Sequence, residues 1–232
     1  MSFVSAIIVA AGNSVRMGTA NSKQFIPLLG RPAVEYTLGA FQRCGIIDEI
    51  IVVCREQDAP EIRKITDSNG FNKVKEIVNG GDSRAKSVKN GIAAAHPKAD
   101  YYAIHDGARP LITPAEIERV VIAALETGAA TLGTAVTDTI KLVDENSIIE
   151  STPARSRLRA VQTPQVFEKE LYTFAIEDAG NRLAEFTDDC SLIENMGGEV
   201  TVVGGSSENI KLTTPIDVVI AESILKARGE GK

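Results

Sequence analysis

Two stretches of the chain are apolar at nearly every position, Ser5-Ala6-Ile7-Ile8-Val9-Ala10-Ala11 and Glu49-Ile50-Ile51-Val52-Val53-Cys54. Unbroken apolar runs of this length predict strands buried on both faces, as in a parallel sheet. Weaker strand patterns lie at residues 74–78, 101–105, 130–136 and 199–203. Between them, apolar residues at helical spacing predict helices near residues 33–44, 59–67, 83–95, 114–126, 169–179, 188–196 and 215–226. Pro114 and Pro215 suit a first helical turn, with Thr113 and Thr214 before them as N-caps. Asn69-Gly70, Gly128 and Gly197-Gly198 read as helix stops.

This alternation predicts an α/β fold, a Rossmann-like doubly wound and mainly parallel sheet with helices on both faces. Without repeats, low-complexity tracts or linkers, residues 1–232 read as one domain. Residues of about 137–160 break the rhythm. There Ile140-Lys141-Leu142-Val143 and Ser147-Ile148-Ile149-Glu150 flank Asp144-Glu145-Asn146, which predicts a hairpin. Such an element has little core of its own, so a β-arm that projects and packs against another subunit is expected.

Composition narrows the field. The 232 residues are 44% hydrophobic and 24% charged, too apolar for a disordered chain. No segment approaches the roughly 20 apolar residues of a membrane helix. The start, Met1-Ser2-Phe3-Val4-Ser5, lacks the basic region of a signal peptide, so a cytoplasmic location is expected and no membrane partner. A net charge of −6 with interspersed signs disfavours nucleic acid as a partner. The three cysteines Cys44, Cys54 and Cys190 lack metal-ligand spacing and read as buried thiols.

In a wound sheet, ligands gather at the carboxyl ends of the strands near the point where strand order reverses. Ala10-Ala11-Gly12-Asn13-Ser14-Val15-Arg16-Met17-Gly18 follows the first predicted strand, with Lys23-Gln24 beyond it. Small residues let backbone N–H groups approach phosphate oxygens, and Arg16 and Lys23 add positive charge. The spacing matches neither G-x-G-x-x-G nor a Walker loop. Gly80-Gly81-Asp82-Ser83-Arg84, with Ser87 one turn later, reads equally as a ligand loop or as strand-to-helix punctuation. His105-Asp106-Gly107-Ala108-Arg109-Pro110 places a carboxylate at a strand end, suited to a sugar hydroxyl or a hydrated divalent cation. Its bland alternative is a polar turn with an internal Asp–Arg pair. Thr187 is a helix N-cap candidate on structural grounds.

Taken in order, these segments resemble the 2-C-methyl-D-erythritol 4-phosphate cytidylyltransferase family. The resemblance continues through Asp138-Thr139, Arg155, Gln162-Thr163-Pro164-Gln165, Thr187-Asp188 and Asn209-Ile210-Lys211-Leu212-Thr213. It implies a homodimeric, Mg²⁺-dependent enzyme of the non-mevalonate isoprenoid pathway. Such an enzyme joins CTP and a polyol phosphate, 2-C-methyl-D-erythritol 4-phosphate, giving the CDP-linked alcohol and pyrophosphate. The resemblance further implies that Ala10, Ala11, Gly12, Gly81, Asp82 and Ser87 read the cytosine. Asp106 and Gly107 would lie by the ribose and phosphates, with Asp106 the candidate Mg²⁺ ligand and the phosphates holding most of the ion. Arg16, Lys23 and Lys211 would hold the triphosphate. Arg109, Thr139 and Thr187 would contact the acceptor, with Arg155 reaching in from the partner's arm. Arg16, Lys23, Arg155 and Lys211 are thus the implied catalytic set.

Two departures stand out: Ser22 where the family often has Pro, and Arg159 where an aromatic is common. Two alternatives stay open on sequence. One is the same chemistry on ribitol 5-phosphate; the other is a non-catalytic nucleotide-binding module on the same fold.

Overall fold

The computed structural model describes residues 2–12 and 22–230. The chain passes from β1 (Val4–Val9) to a two-stranded ribbon, β2 (Pro27–Leu28) and β3 (Arg31–Pro32), then into α1 (Ala33–Arg43). It continues through β4 (Glu49–Cys54), α2 (Ala59–Asn69), β5 (Val74–Asn79), α3 (Arg84–Ala93), β6 (Tyr101–Asp106) and α4 (Pro114–Thr127). After β7 (Ala129–Ala135) come a small hairpin, β8 (Leu142–Val143) and β9 (Ile149–Ser151), and the long β10 (Arg159–Glu168). The last elements are α5 (Lys169–Ala179), α6 (Cys190–Asn195), β11 (Thr201–Gly204) and α7 (Pro215–Ala227).

The main sheet has seven strands in the order β11-β7-β10-β6-β1-β4-β5. β1 pairs in parallel with β4 and β6, β4 with β5, and β7 with β11. β10 runs against both β6 and β7. Alternation of side chains along each strand divides the core between two faces. Ala6 and Ile8 of β1 meet Val34, Leu38 and Phe41 of α1 and Ile117 and Val121 of α4. Ile7, between them, faces the other way and packs with Val88 of α3 and Tyr172 of α5. A third cluster joins α7, through Ala221 and Leu225, to Leu28 and Tyr36.

The expected punctuation is present. Thr113 and Thr214 each close a capping box, with Glu116 and Asp217. Gly70, Gly128 and Gly197 take positive φ at helix ends. The β8–β9 hairpin forms where predicted. Two features differ from expectation. β10 is a strand that the sequence pattern does not announce, because Pro164 interrupts its apolar alternation at the register shift between Val161 and Gln165. Thr187 does not cap α6; Asp188 Oδ1 accepts from the Ser191 N–H at 3.1 Å instead, and Thr187 is exposed.

Candidate active site

From β1 the chain moves outward to β4 and β5, then returns to place β6 on the other side of β1. The order therefore reverses between β1 and β6, and the carboxyl ends of β1, β4, β5 and β6 lie along one edge. Gly107 N–H donates to Val9 O at 2.8 Å and Ala10 N–H to Val53 O at 2.7 Å, so the loops leaving these strands are stitched together. A cavity of about 370 Å³ opens there. A Cβ on Gly107 would meet Ala10 Cβ at 3.0 Å, so a larger residue would disturb that stitching.

Asp106, the last residue of β6, lies at the floor. Lys211 Nζ is 2.8 Å and Arg109 Nε 3.6 Å from its Oδ2, and Arg84 Nε is 3.4 Å from its Oδ1. Burial alone would raise its pKa. The charges of Lys211, Arg84 and Arg109 outweigh burial and hold the carboxyl well below the usual carboxylate range. Arg109 Nε is buried and makes no hydrogen bond among the described residues. Arg84 is itself anchored from behind. Its Nη1 lies 2.8 Å from the buried Asp189, whose Oδ1 accepts from the Tyr172 hydroxyl at 2.5 Å.

The wall opposite is built from the glycine turn before α3. Ser87 Oγ accepts from Gly81 N–H at 3.0 Å and donates to Ser83 O at 2.9 Å, tying the turn to the helix. A Cβ on Gly81 would come within 2.5 Å of Lys86 Cβ, and one on Gly80 would collide with Ala11. Only glycine fits this close approach.

Behind Asp106, β10 acts as a bracket. The Asp106 N–H donates to Thr163 Oγ1 at 3.1 Å, and Thr163 Oγ1 lies 3.0 Å from His105 Nδ1. His105 Nε2 is 3.3 Å from the Arg109 carbonyl, which can only accept. Nε2 therefore carries the ring proton, and the Thr163 hydroxyl donates to Nδ1. Burial lowers the His105 pKa to about 3, so the ring is neutral. Gln162 Nε2 donates to Ser206 O, and Asn209 Nδ2 donates to Thr163 O, fixing the segment that carries Lys211. Leu212 N–H then donates to Ala108 O at 2.9 Å, which brings Lys211 beside Asp106.

The cavity thus gathers Ala10, Ala11, Gly12, Lys23, Gly81, Asp82, Ser87, Asp106 and Lys211. Gly107 and Arg109 adjoin it through the contacts above. Arg16 lies outside the described residues. Thr139, Arg155 and Thr187 are exposed and do not line this cavity; Arg155 Nη1 donates to Thr137 O within the arm. Sequence reasoning passed over Arg84 as a site residue, although its motif was visible, and it missed Arg55, which also lines the cavity. The three cysteines are buried, and burial pushes the Cys54 thiol up to about 11, far from a neutral-pH nucleophile. Among the described residues, no helix is long and apolar enough to cross a membrane.

Strand order, the placing of the cavity at its reversal, and cations converging on one carboxylate belong to a Rossmann-like α/β protein that handles anionic ligands. Comparison with known proteins narrows this class to a nucleotidyltransferase. The family model for 2-C-methyl-D-erythritol 4-phosphate cytidylyltransferase (IspD) matches residues 4–227, and the chain belongs to that family. It is 45% identical to the 2-C-methyl-D-erythritol 4-phosphate cytidylyltransferase of Syntrophotalea carbinolica, covering 97% of each chain. Identity to the enzyme of the same name from Desulforamulus reducens is 42%, covering 98% of each. The fold is similar to the crystal structure of 4-diphosphocytidyl-2C-methyl-D-erythritol synthase from Anaerococcus prevotii. There the TM-score is 0.83 at 32% identity, over 97% of this chain and 99% of that one.

Proposed function

We propose that the protein transfers the cytidylyl group of CTP to 2-C-methyl-D-erythritol 4-phosphate, releasing pyrophosphate and 4-CDP-2-C-methyl-D-erythritol. The observation that carries this reading is that Lys23 and Lys211, far apart in sequence, line one cavity with the close-packed glycine turn and Asp106. Arg109, whose Nε faces Asp106 Oδ2 at 3.6 Å, adds positive charge beside the cavity.

A phosphate monoester is mostly a dianion at pH 7, because its second pKa is near 6. It needs no base to attack the α-phosphorus of CTP in line. A bond forms from the acceptor phosphate oxygen to that phosphorus, and the bond to the bridging oxygen breaks as pyrophosphate leaves. The obstacle is repulsion between two anions, so the protein contributes positioning and positive charge. Lys23, with Arg16, stabilises the five-coordinate transition state and the leaving group. Lys211 and Arg155, the latter supplied by the β-arm of a second copy in a homodimer, place the attacking phosphate. Arg109, Thr139 and Thr187 contact the acceptor. Ala10, Ala11, Gly12, Gly81, Asp82 and Ser87 read the base, and Asp106 and Gly107 lie by the ribose and phosphates.

Among the described residues no cluster of three or more His, Cys, Asp or Glu could hold a metal by itself. Asp106 offers one hard carboxylate at the cavity floor. Lys211 and Arg109 face its Oδ2 and Arg84 its Oδ1, so Asp106 would give Mg²⁺ a single oxygen, with the substrate phosphates and water supplying the rest of the shell. Bound there, the ion would neutralise charge on the nucleotide phosphates.

Pyrophosphate release measured across CTP, UTP, ATP and GTP, each with 2-C-methyl-D-erythritol 4-phosphate or ribitol 5-phosphate, tests the reading. Turnover is expected with CTP and the methylerythritol acceptor. Lys23→Ala and Lys211→Ala should each lower kcat at least ~100-fold while circular dichroism stays native. Preference for ribitol 5-phosphate, or CTP binding without pyrophosphate release, would defeat it.

A further inference from the structure

Lys23 opens a single helical turn, Lys23–Phe25. Inside it, the N–H groups of Phe25 and Ile26 donate to Ser22 O at 2.9 Å and Lys23 O at 3.2 Å. A turn this short has little stability of its own. The residues on either side of Lys23 send their side chains to one buried carboxylate. Ser22 Oγ donates to Asp58 Oδ2 at 2.8 Å and Gln24 Nε2 donates to the same oxygen at 3.1 Å. Both side chains are buried.

Arg55 completes the arrangement from the end of β4. Its Nε donates to Asp58 Oδ2 at 2.8 Å, its Nη2 to Oδ1 at 3.1 Å, and its Nη2 also reaches Ser22 Oγ. Asp58 stands at the entry to α2, and its N–H donates to Arg55 O at 2.9 Å. The end of β4 and the start of α2 thus grip both neighbours of Lys23. Arg55 lines the cavity, yet its charge is matched by Asp58, so it is poorly placed to serve as another phosphate cation.

We propose that Asp58, held by Arg55, is a positioning residue for the transfer: it clamps Ser22 and Gln24 so that Lys23 meets the reacting phosphates in a fixed place. This rests on the role given to Lys23 above. The clamp is built of charge-assisted, largely buried hydrogen bonds, the kind that fixes geometry most firmly. Misplacement of a reacting group by about 1 Å can cost ~100-fold in rate, so the effect belongs to kcat. Ser22 in this chain obtains by hydrogen bonding what a proline would give by its ring. Its φ of −61° already lies in proline's window.

The test uses Asp58→Asn, which keeps the shape and removes the charge. The expected result is a fall in kcat of at least ~10-fold with the Kd for CTP changed less than ~3-fold. Hydrogen exchange should quicken at the Phe25 and Ile26 amides while those of β1 stay protected. In a Ser22→Pro background the same substitution should cost clearly less kcat, since the ring then stiffens the turn. Wild-type kcat, unchanged exchange at Phe25 and Ile26, or an equal loss in the proline background would each overturn the proposal. Parallel loss of kcat and CTP affinity, with exchange rising through β4 and α2, would also overturn it by showing a general loosening. Should the wild-type protein release no pyrophosphate from CTP, the functional reading fails, and the exchange measurement still decides the clamp.

Discussion

His105 is fully buried between Phe41 and Thr163 and never needs to charge. Its ordinary pKa is near 6.5, and burial brings it to about 3 in the folded protein. The unfolded chain therefore binds a proton between these values that the native state refuses. Stability from this group is fully present above about pH 6.5 and is lost as pH falls toward 3. Asp106, held low by its cations, adds loss in the same direction below the usual carboxylate range. We expect the melting temperature to fall from pH 6.5 to pH 4. In His105→Gln, which cannot take up that proton, the slope should be shallower even if the variant starts less stable. Equal slopes for the two proteins would show that His105 is not the source.

At the level of elements, the seating of α3 on the sheet decides where Ser83, Arg84 and Ser87 stand. Gly91 makes that seating possible, since a Cβ there would lie 2.5 Å from Ile7 Cγ2 and 2.7 Å from Val53 Cγ2. In an open helix, Gly→Ala gains roughly 1 kcal/mol from propensity. Here overpacking of about 1–3 kcal/mol opposes it. Gly91→Ala should therefore lower the urea midpoint, and CTP affinity should drop with it as the glycine turn shifts. A higher midpoint would mean that α3 can lift away without strain.

The same elements show what the sequence could and could not announce. β1 and β4 were legible because both their faces are covered, leaving Ala6–Val9 and Ile50–Cys54 without a polar position. Thr113 and Thr214 were legible because capping is local chemistry. β10 was not, because its bulged centre, Gln162-Thr163-Pro164-Gln165, spends its polar groups on distant partners: Ser206, His105 and Asp188. Glycines and cations at strand ends marked the cavity. Asp189, Asp58 and the supporting role of Arg84 were hidden, because the contacts that give them their place, Asp58 with Ser22 and Gln24 and Asp189 with Arg84, join remote segments that no spacing records.

Over the molecule as described, the arm of residues 137–160 has no buried side chain. Ile148 and Ile149 are 64% and 58% exposed, and Leu142 and Val143 are exposed as well. An apolar hairpin of this kind suits a contact with a second copy, as the family resemblance implies. If Arg155 acts in the partner's cavity, Arg155→Ala and Lys23→Ala subunits should each be inactive alone. Mixed subunits should recover roughly a quarter of wild-type activity, since half of the randomly paired dimers keep one intact site. Demonstrated heterodimers without recovery would place Arg155 in its own subunit's chemistry or outside it.

The contact of Lys211 with Asp106 carries one more consequence. A resident carboxylate competes with every anion that enters, so an arriving phosphate exchanges with a counter-ion already in place instead of meeting a bare ammonium. On the role proposed for Lys211, that would lower its hold on the attacking phosphate, and it would give the lysine somewhere to return once the CDP-linked product departs. A cavity arranged this way trades tightness for turnover.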